Sequence, residues 1–262
     1  MPLLHSSAAP LFYTVTGDGP PLMLLHGYCA DHRVWEAMLP ALAKRYTVIT
    51  PDLPGCGQSA VQSEQTIQSM AAALVVLLDA LKIKRLPVVG HSMGGYTALA
   101  LLQAYPERLS ALGLLHSHPF GNLTEEEKNN RERSIAFMER YGAALYVKQL
   151  IPTLFAPGYA DRVELEKQSF RALETPTAGI IACQRAMLHR ANHTETLRHC
   201  AIPVGQLHGQ SDALITTETQ EKMSILAPNT TVHWLPHVGH CGMLEEPKTT
   251  GRLLRNFLAS VV

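Results

Sequence analysis

The stretch Val88-Val89-Gly90-His91-Ser92-Met93-Gly94-Gly95-Tyr96 limits what this chain can fold into more than any other. An apolar run suited to a buried strand ends in glycines around one serine, and the segment from Met93 to Tyr105 then reads as a helix that stops before Pro106. A strand turning that sharply into a helix around Gly-x-Ser-x-Gly holds its serine in a strained backbone position, with the hydroxyl exposed above the strand ends. Gly90 and Gly94 supply the small flanks that let the two backbones approach. The same turn puts Ser92 at a helix N-terminus, where unpaired amides and the helix dipole favour developing negative charge.

Similar apolar runs recur at Pro21 to Leu25, Tyr46 to Ile49, Leu86 to Val89 and Ala111 to Leu115. Each is too short for a stable helix and apolar on both faces, as central strands of a parallel sheet are. A helix is expected over Ser69 to Leu81. Strand and helix alternate, so the fold class is α/β, a mostly parallel central sheet with helices on both faces. From about Pro119 to Leu197 the alternation breaks. Thr124-Glu125-Glu126-Glu127 reads as a capping box opening a helix through Tyr141, with Ile135, Phe137, Met138 and Tyr141 on one broad face. Further helices are expected over Asp161 to Leu173 and Thr177 to Arg190. The alternation resumes with a strand from Ile202 to Leu207, a helix over Thr217 to Leu226, a strand from Thr231 to Leu235 and a last helix near Lys248 to Leu258. The division expected is therefore a core of residues 1–118 and 198–262 with a helical insertion, 119–197.

Length alone, 262 residues, leaves one large domain with an insertion or two small domains open. Lys+Arg 22 against Asp+Glu 22 leaves no basic field for phosphates or anionic lipid, which excludes nucleic acid and membrane surfaces as expected partners and favours a small molecule. Five cysteines, an odd number with no Cys-x-x-Cys pair, argue against a disulfide framework and fit a reducing compartment. With neither a secretory signal nor an apolar run long enough to cross a bilayer, the expected location is cytoplasmic.

A serine hydroxyl needs a positioned general base, and the base needs an acid to fix its tautomer. His91 is unsuited, because adjacent side chains at a strand end point in opposite directions. His237 and His240 both follow the last expected strand. His240 is preferred, since Gly239 before it permits a tight turn, whereas His237 beside Pro236 suits ordering the loop. For the acid, Asp212 follows the strand that ends Leu207-His208-Gly209; its rival role is capping the next helix. Glu245 and Glu246 lie too close in sequence to His240. Two backbone amides are needed for an oxyanion, and those of Met93 and Tyr28 are the candidates. His26 reads as tying down the Tyr28 turn, with the substrate pocket as its other place.

These residues resemble the α/β-hydrolase fold superfamily, in its serine-nucleophile branch. The likeness rests on His26-Gly27, on Asp52-Leu53-Pro54-Gly55-Cys56-Gly57-Gln58-Ser59, on Gly90 to Gly95, on Gly209 to Asp212 and on Gly239-His240, which follow the family order of nucleophile, acid and histidine. The resemblance implies the triad Ser92, Asp212 and His240, a structural loop over Asp52 to Ser59, and a helical lid made of the inserted block. A serine at the elbow speaks against the haloalkane dehalogenase and epoxide hydrolase branches, and His26-Gly27-Tyr28-Cys29 departs from the lipase-type HGGG. His116 and His118, two apart after their strand, have no further ligand set of matching spacing, so no metal is expected; lining the pocket or bracing the lid hinge is.

The expected activity is cofactor-free ester hydrolysis by acyl transfer, acting on small esters and declining at acidic pH where imidazole titrates. Hydrolysis of a carbon-carbon bond in a dienoic diketone is the alternative with the same triad, and Arg185 or Arg190 would then hold a substrate carboxylate. A non-catalytic binding protein is a third reading. Cys29 and Cys241 border the site and are expected to pack it. Oligomeric state is not legible.

Overall fold

The short apolar runs form one eight-stranded sheet in the computed structural model, which describes residues 3–4, 9–121 and 123–261. The strands are β1 (Leu3–Leu4), β2 (Leu11–Thr16), β3 (Pro21–Leu25), β4 (Thr47–Pro51), β5 (Leu86–His91), β6 (Leu109–Leu115), β7 (Val204–Gly209) and β8 (Thr230–Leu235). Their spatial order is β1-β2-β4-β3-β5-β6-β7-β8. The pairs from β4 to β8 are parallel, while β1 and β2 close one edge in antiparallel sense.

Alternation along the central strands divides the core in two. Met23 and Leu25 of β3, Val88 of β5 and Leu112 and Leu114 of β6 face one apolar cluster; Leu22, Leu24, Val89, Ala111 and Leu115 face the other. Both faces are therefore covered, which is why these strands read as unbroken apolar runs. On the first face lie α2 (Ile67–Ala80) and α3 (Met93–Ala104), and on the second α1 (Leu39–Leu42) and α11 (Pro247–Ala259). Thr66 caps α2 in a capping box with Ser69, and the helix begins at Ile67, two residues earlier than the sequence expectation.

Between β6 and β7 the chain forms α4 (Glu125–Tyr141), α5 (Ala144–Thr153), α6 (Arg162–Glu174), α7 (Thr177–Leu188) and α8 (Thr194–Arg198). The Thr124 capping box is present. The buried stripe of α4 is narrower than expected: Ile135 and Met138 are buried, but Tyr141 stands exposed in the last turn, its ring against Phe137. α7 seats Gly179 against the Gly55 carbonyl, where any Cβ would collide, and sets the Cys183 sulfur 3.4 Å from that of Cys56. α9 (Thr217–Ser224) and α10 (Gly242–Glu245) complete the elements. No helix among the described residues is long and apolar enough to cross a membrane.

Candidate active site

Because β3 and β5 to β8 run parallel, the connections leaving their C-terminal ends share one rim of the sheet, and Tyr28, Ser92, Asp212 and His240 all lie there. Ser92 follows β5 and caps α3 at φ 50° and ψ −115°, a positive-φ conformation that costs a non-glycine residue about 1–3 kcal/mol. The surroundings enforce it. Ser92 N–H donates to the Leu115 carbonyl at 3.0 Å and Ser117 Oγ–H to the Ser92 carbonyl at 2.8 Å. A Cβ on Gly90 would strike the Gly94 backbone, and one on Gly94 the carbonyls of Leu25 and His26.

His240 Nε2 lies 2.8 Å from Ser92 Oγ, and His240 Nδ1 lies 2.7 Å from Asp212 Oδ2. Asp212 Oδ1 accepts from the amides of Leu214 and Ile215 at 2.8 and 3.0 Å. Burial pushes the Asp212 carboxyl up, but the His240 charge and hydrogen bond, the nearby His116 and the Ile215 amide outweigh it and hold it at about 2. Asp212 is thus an acceptor only, and the hydroxyl, imidazole and carboxylate form one relay in which Ser92 Oγ–H donates to His240 and His240 Nδ1–H to Asp212.

The histidine loop is fixed from several sides. His240 N–H donates to the Leu154 carbonyl at 2.8 Å, and Glu245 accepts from the amides of Gly239, Cys241 and Ala156. Glu245, weighed in the sequence as a rival acid, is instead the anchor of the loop that presents His240. His237 is exposed, at φ 61° in the turn after β8. His91 donates from Nε2 to the His240 carbonyl at 2.8 Å and does not approach Ser92 Oγ as a base. Burial and the neighbouring His240 and His116 drive its pKa well down, so it serves as an uncharged brace.

The Tyr28 and Met93 amides have no hydrogen-bond acceptor among the described residues. Tyr28 lines, with Ser92 and His240, a cavity of about 320 Å³, at the small end of ligand pockets. Its far wall comes from the segment between β6 and β7, with Leu123 before α4 and Ser134, Leu150 and Met187 on α4, α5 and α7. His118 lines it too, its Nε2 3.3 Å from the Tyr96 hydroxyl. Two of the expected pocket residues do not. His26 is fully buried behind the Tyr28 turn, donating from Nδ1 to the Gly27 carbonyl at 2.8 Å and accepting the Leu53 amide at 2.9 Å. His116 is buried beneath the triad, outside the cavity lining. Neither takes the pocket place expected of it: both ring nitrogens of His26 are spent on backbone partners that tie down the Tyr28 turn, and His116 Nε2 accepts the Gly242 amide below the rim. Cys29 and Cys241 are buried in the apolar core, and burial raises both thiols, which makes them packing groups. Arg190 lines the cavity with its guanidinium 4.6 Å from the Tyr96 ring centre, whereas Arg185 pairs with Glu139 on the surface. Arg131, which the sequence reading passed over, lines the cavity and donates to Gln184 at 3.0 Å; its place one turn after the capping box of a charged helix gave no signal.

The family model described as the alpha/beta hydrolase fold matches residues 20–247. The chain belongs to the α/β-hydrolase fold family. Among solved structures, this α/β-hydrolase is 31% identical to a thermophilic esterase from Thermogutta terrifontis, at a TM-score of 0.91 over 97% of this chain and 94% of that one. It is 27% identical to a pimeloyl-[acyl-carrier protein] methyl ester esterase of Nitrosomonas europaea, over 92% of this chain and 96% of the relative. It is 26% identical to a 2-hydroxy-6-oxo-6-(2'-aminophenyl)hexa-2,4-dienoic acid hydrolase of Metapseudomonas resinovorans, over 94% and 87%. The chain is an enzyme of the hydrolase class.

Proposed function

We propose that the chain is a serine carboxylesterase acting by acyl transfer on small esters, with Ser92 as nucleophile, His240 as base and Asp212 as its partner. The observation that carries this reading is the unbroken Asp212–His240–Ser92 relay at the floor of a cavity of about 320 Å³. Ser92 Oγ attacks the ester carbonyl carbon while its proton passes to His240 Nε2. Asp212, held anionic, stabilises the imidazolium, and the amides of Tyr28 and Met93 accept the charge that develops on the carbonyl oxygen. His240 then returns the proton to the departing alkoxide as the carbon–oxygen bond breaks. Water, deprotonated by His240, attacks the acyl-serine, and the second tetrahedral intermediate collapses to the carboxylic acid and the free hydroxyl. The block from α4 to α8 acts as the lid, since its helices α4, α5 and α7 supply the wall opposite the nucleophile and so set which acyl and alcohol groups fit. The esterases among the relatives support the same reading.

Ser92→Ala is expected to lower kcat for p-nitrophenyl acetate at least about a thousandfold, with the melting temperature little changed. Undiminished turnover by that variant ends the proposal. Carbon–carbon hydrolysis is the second reading, favoured by Arg190 in the cavity wall and by the dienoic acid hydrolase among the relatives. A dienoic diketone assayed beside a panel of p-nitrophenyl esters of increasing chain length separates the two.

A further inference from the structure

His116-Ser117-His118 follows β6, the strand between nucleophile-bearing β5 and acid-bearing β7. Ser117 locks the elbow and His118 reaches the cavity, which leaves His116 without a role. It sits in the left-handed region at φ 45°, strain that persists only where the surroundings impose it. The Gly242 amide donates to His116 Nε2 at 3.2 Å, so the neutral ring carries its proton on Nδ1. That Nδ1–H has no hydrogen-bond partner among the described residues, and it lies 4.0 Å from Asp212 Oδ2, the oxygen that His240 also uses. A buried unpaired N–H is costly, and the group this one faces is the triad carboxylate.

We infer that His116 is a positioning residue of the triad: a neutral imidazole, its tautomer set by the Gly242 amide, that turns its Nδ1–H dipole on Asp212 and shares that carboxylate with His240. The inference rests on the reading of Ser92, His240 and Asp212 as the reacting groups. His116 touches no substrate and acts through Asp212. Burial pushes its pKa down to about 3, so it brings a dipole and not a second positive charge beside the imidazolium. The positive end of that dipole steadies the Asp212 anion and, by the same electrostatics, makes His240 hold its proton less tightly. His240 is faced by Asp212, His91, His116 and His118 and, from its own loop, by Cys241 and Glu245; His116 is faced by Asp212, His91, His208 and His240. Burial keeps His91, His118 and His208 uncharged as well, leaving the two carboxylates as the charged neighbours.

Two substitutions separate this role from a structural one, because Asn carries its terminal amide near the place of Nδ1, where its NH2 can donate, and Gln carries its own near that of Nε2, where its Oε1 can accept. His116→Gln keeps an acceptor for the Gly242 N–H and removes the donor dipole toward Asp212. It is expected to lower kcat about tenfold with KM unmoved and to shift the low-pH limb of the kcat profile toward higher pH. His116→Asn restores a donor toward Asp212 and is expected to recover most of kcat and the original limb. A His116→Gln variant equal to the parent in kcat and in its low-pH limb overturns the inference, as does a His116→Asn variant that fares no better than Gln. Nitrogen-15 NMR of the unmodified enzyme tests it without any substitution: His116 is expected as the Nδ1–H tautomer, neutral from pH 5 to 8, and an Nε2–H tautomer or a titration in that range overturns it. The NMR outcome stands even if Ser92→Ala retains activity, so failure of the esterase reading and failure of this inference are told apart.

Discussion

At the scale of single residues, the chemistry depends on backbone positions that tolerate no change. Gly94 is the sharpest case, because a methyl group there overlaps the carbonyls of Leu25 and His26, immediately before the turn that carries the Tyr28 amide. Gly94→Ala is expected to cost about 1–3 kcal/mol of stability by overpacking. Activity should fall further, about a hundredfold, because displacing the Tyr28 amide from its proposed place as an oxyanion donor costs at least that. Urea unfolding beside kcat measures both, and a variant as active as the parent would show that the turn can shift without penalty. The sequence made the elbow legible because its determinants are local, five consecutive residues with glycines at fixed offsets. His240 was preferred to His237 through Gly239, again a neighbour. His116 was not legible, since its partner Gly242 lies 126 residues away and nothing near His116 in sequence reports that contact.

At the scale of elements, legibility follows burial. The central strands declare themselves by being apolar on both faces, and α4 and α6 by Thr124 and Asp161, which accept the amides of Glu127 and Glu164. The antiparallel strand β2 is not legible, because its second half is exposed and no longer alternates against a core. α5 was hidden by Pro152 in its last turn, a residue that argues against helix when read alone. Capping also yields a prediction. The Thr66 hydroxyl accepts the Ser69 amide at 2.9 Å at the start of α2, on the sheet face that packs α3. Thr66→Ala is expected to lower unfolding free energy by about 1 kcal/mol and leave kcat/KM unchanged. Chemical denaturation and a steady-state assay check the two halves, and an unchanged midpoint would mean that tertiary packing alone holds that helix end.

Across the whole molecule, the buried histidines set the response to acid. Burial lowers the pKa of His26, His91, His116, His118, His193 and His208 below the value each would have in the unfolded chain. For a lowered imidazole the unfolded state binds the extra proton. Its contribution to stability is therefore complete above the ordinary histidine range and is lost as pH falls toward the folded value. Each such group removes up to about 1.4 kcal/mol per pH unit in that window. His32 runs the other way: burial opposes protonation, but the Asp52 carboxylate raises its pKa, so its contribution is present at low pH and lost as pH rises. One opposing group does not offset six. Asp212, lowered to about 2, adds a loss of its own as pH drops from the usual carboxylate range toward that value. The melting temperature is expected to fall steeply between pH 7 and pH 5, and a flat profile would mean that the fold accepts those protons.

The proposed reacting groups and the cavity wall come from different parts of the chain. Ser92, Asp212 and His240 follow the ends of β5, β7 and β8 and are bonded to one another, while the side chains of Ser134, Leu150 and Met187 line the cavity from the helices between β6 and β7 and bond to none of the three. Exchanging wall residues for larger or smaller ones can therefore redraw substrate preference without retuning the relay. An enzyme arranged this way can diversify under selection at one surface while the proposed catalytic engine is inherited intact.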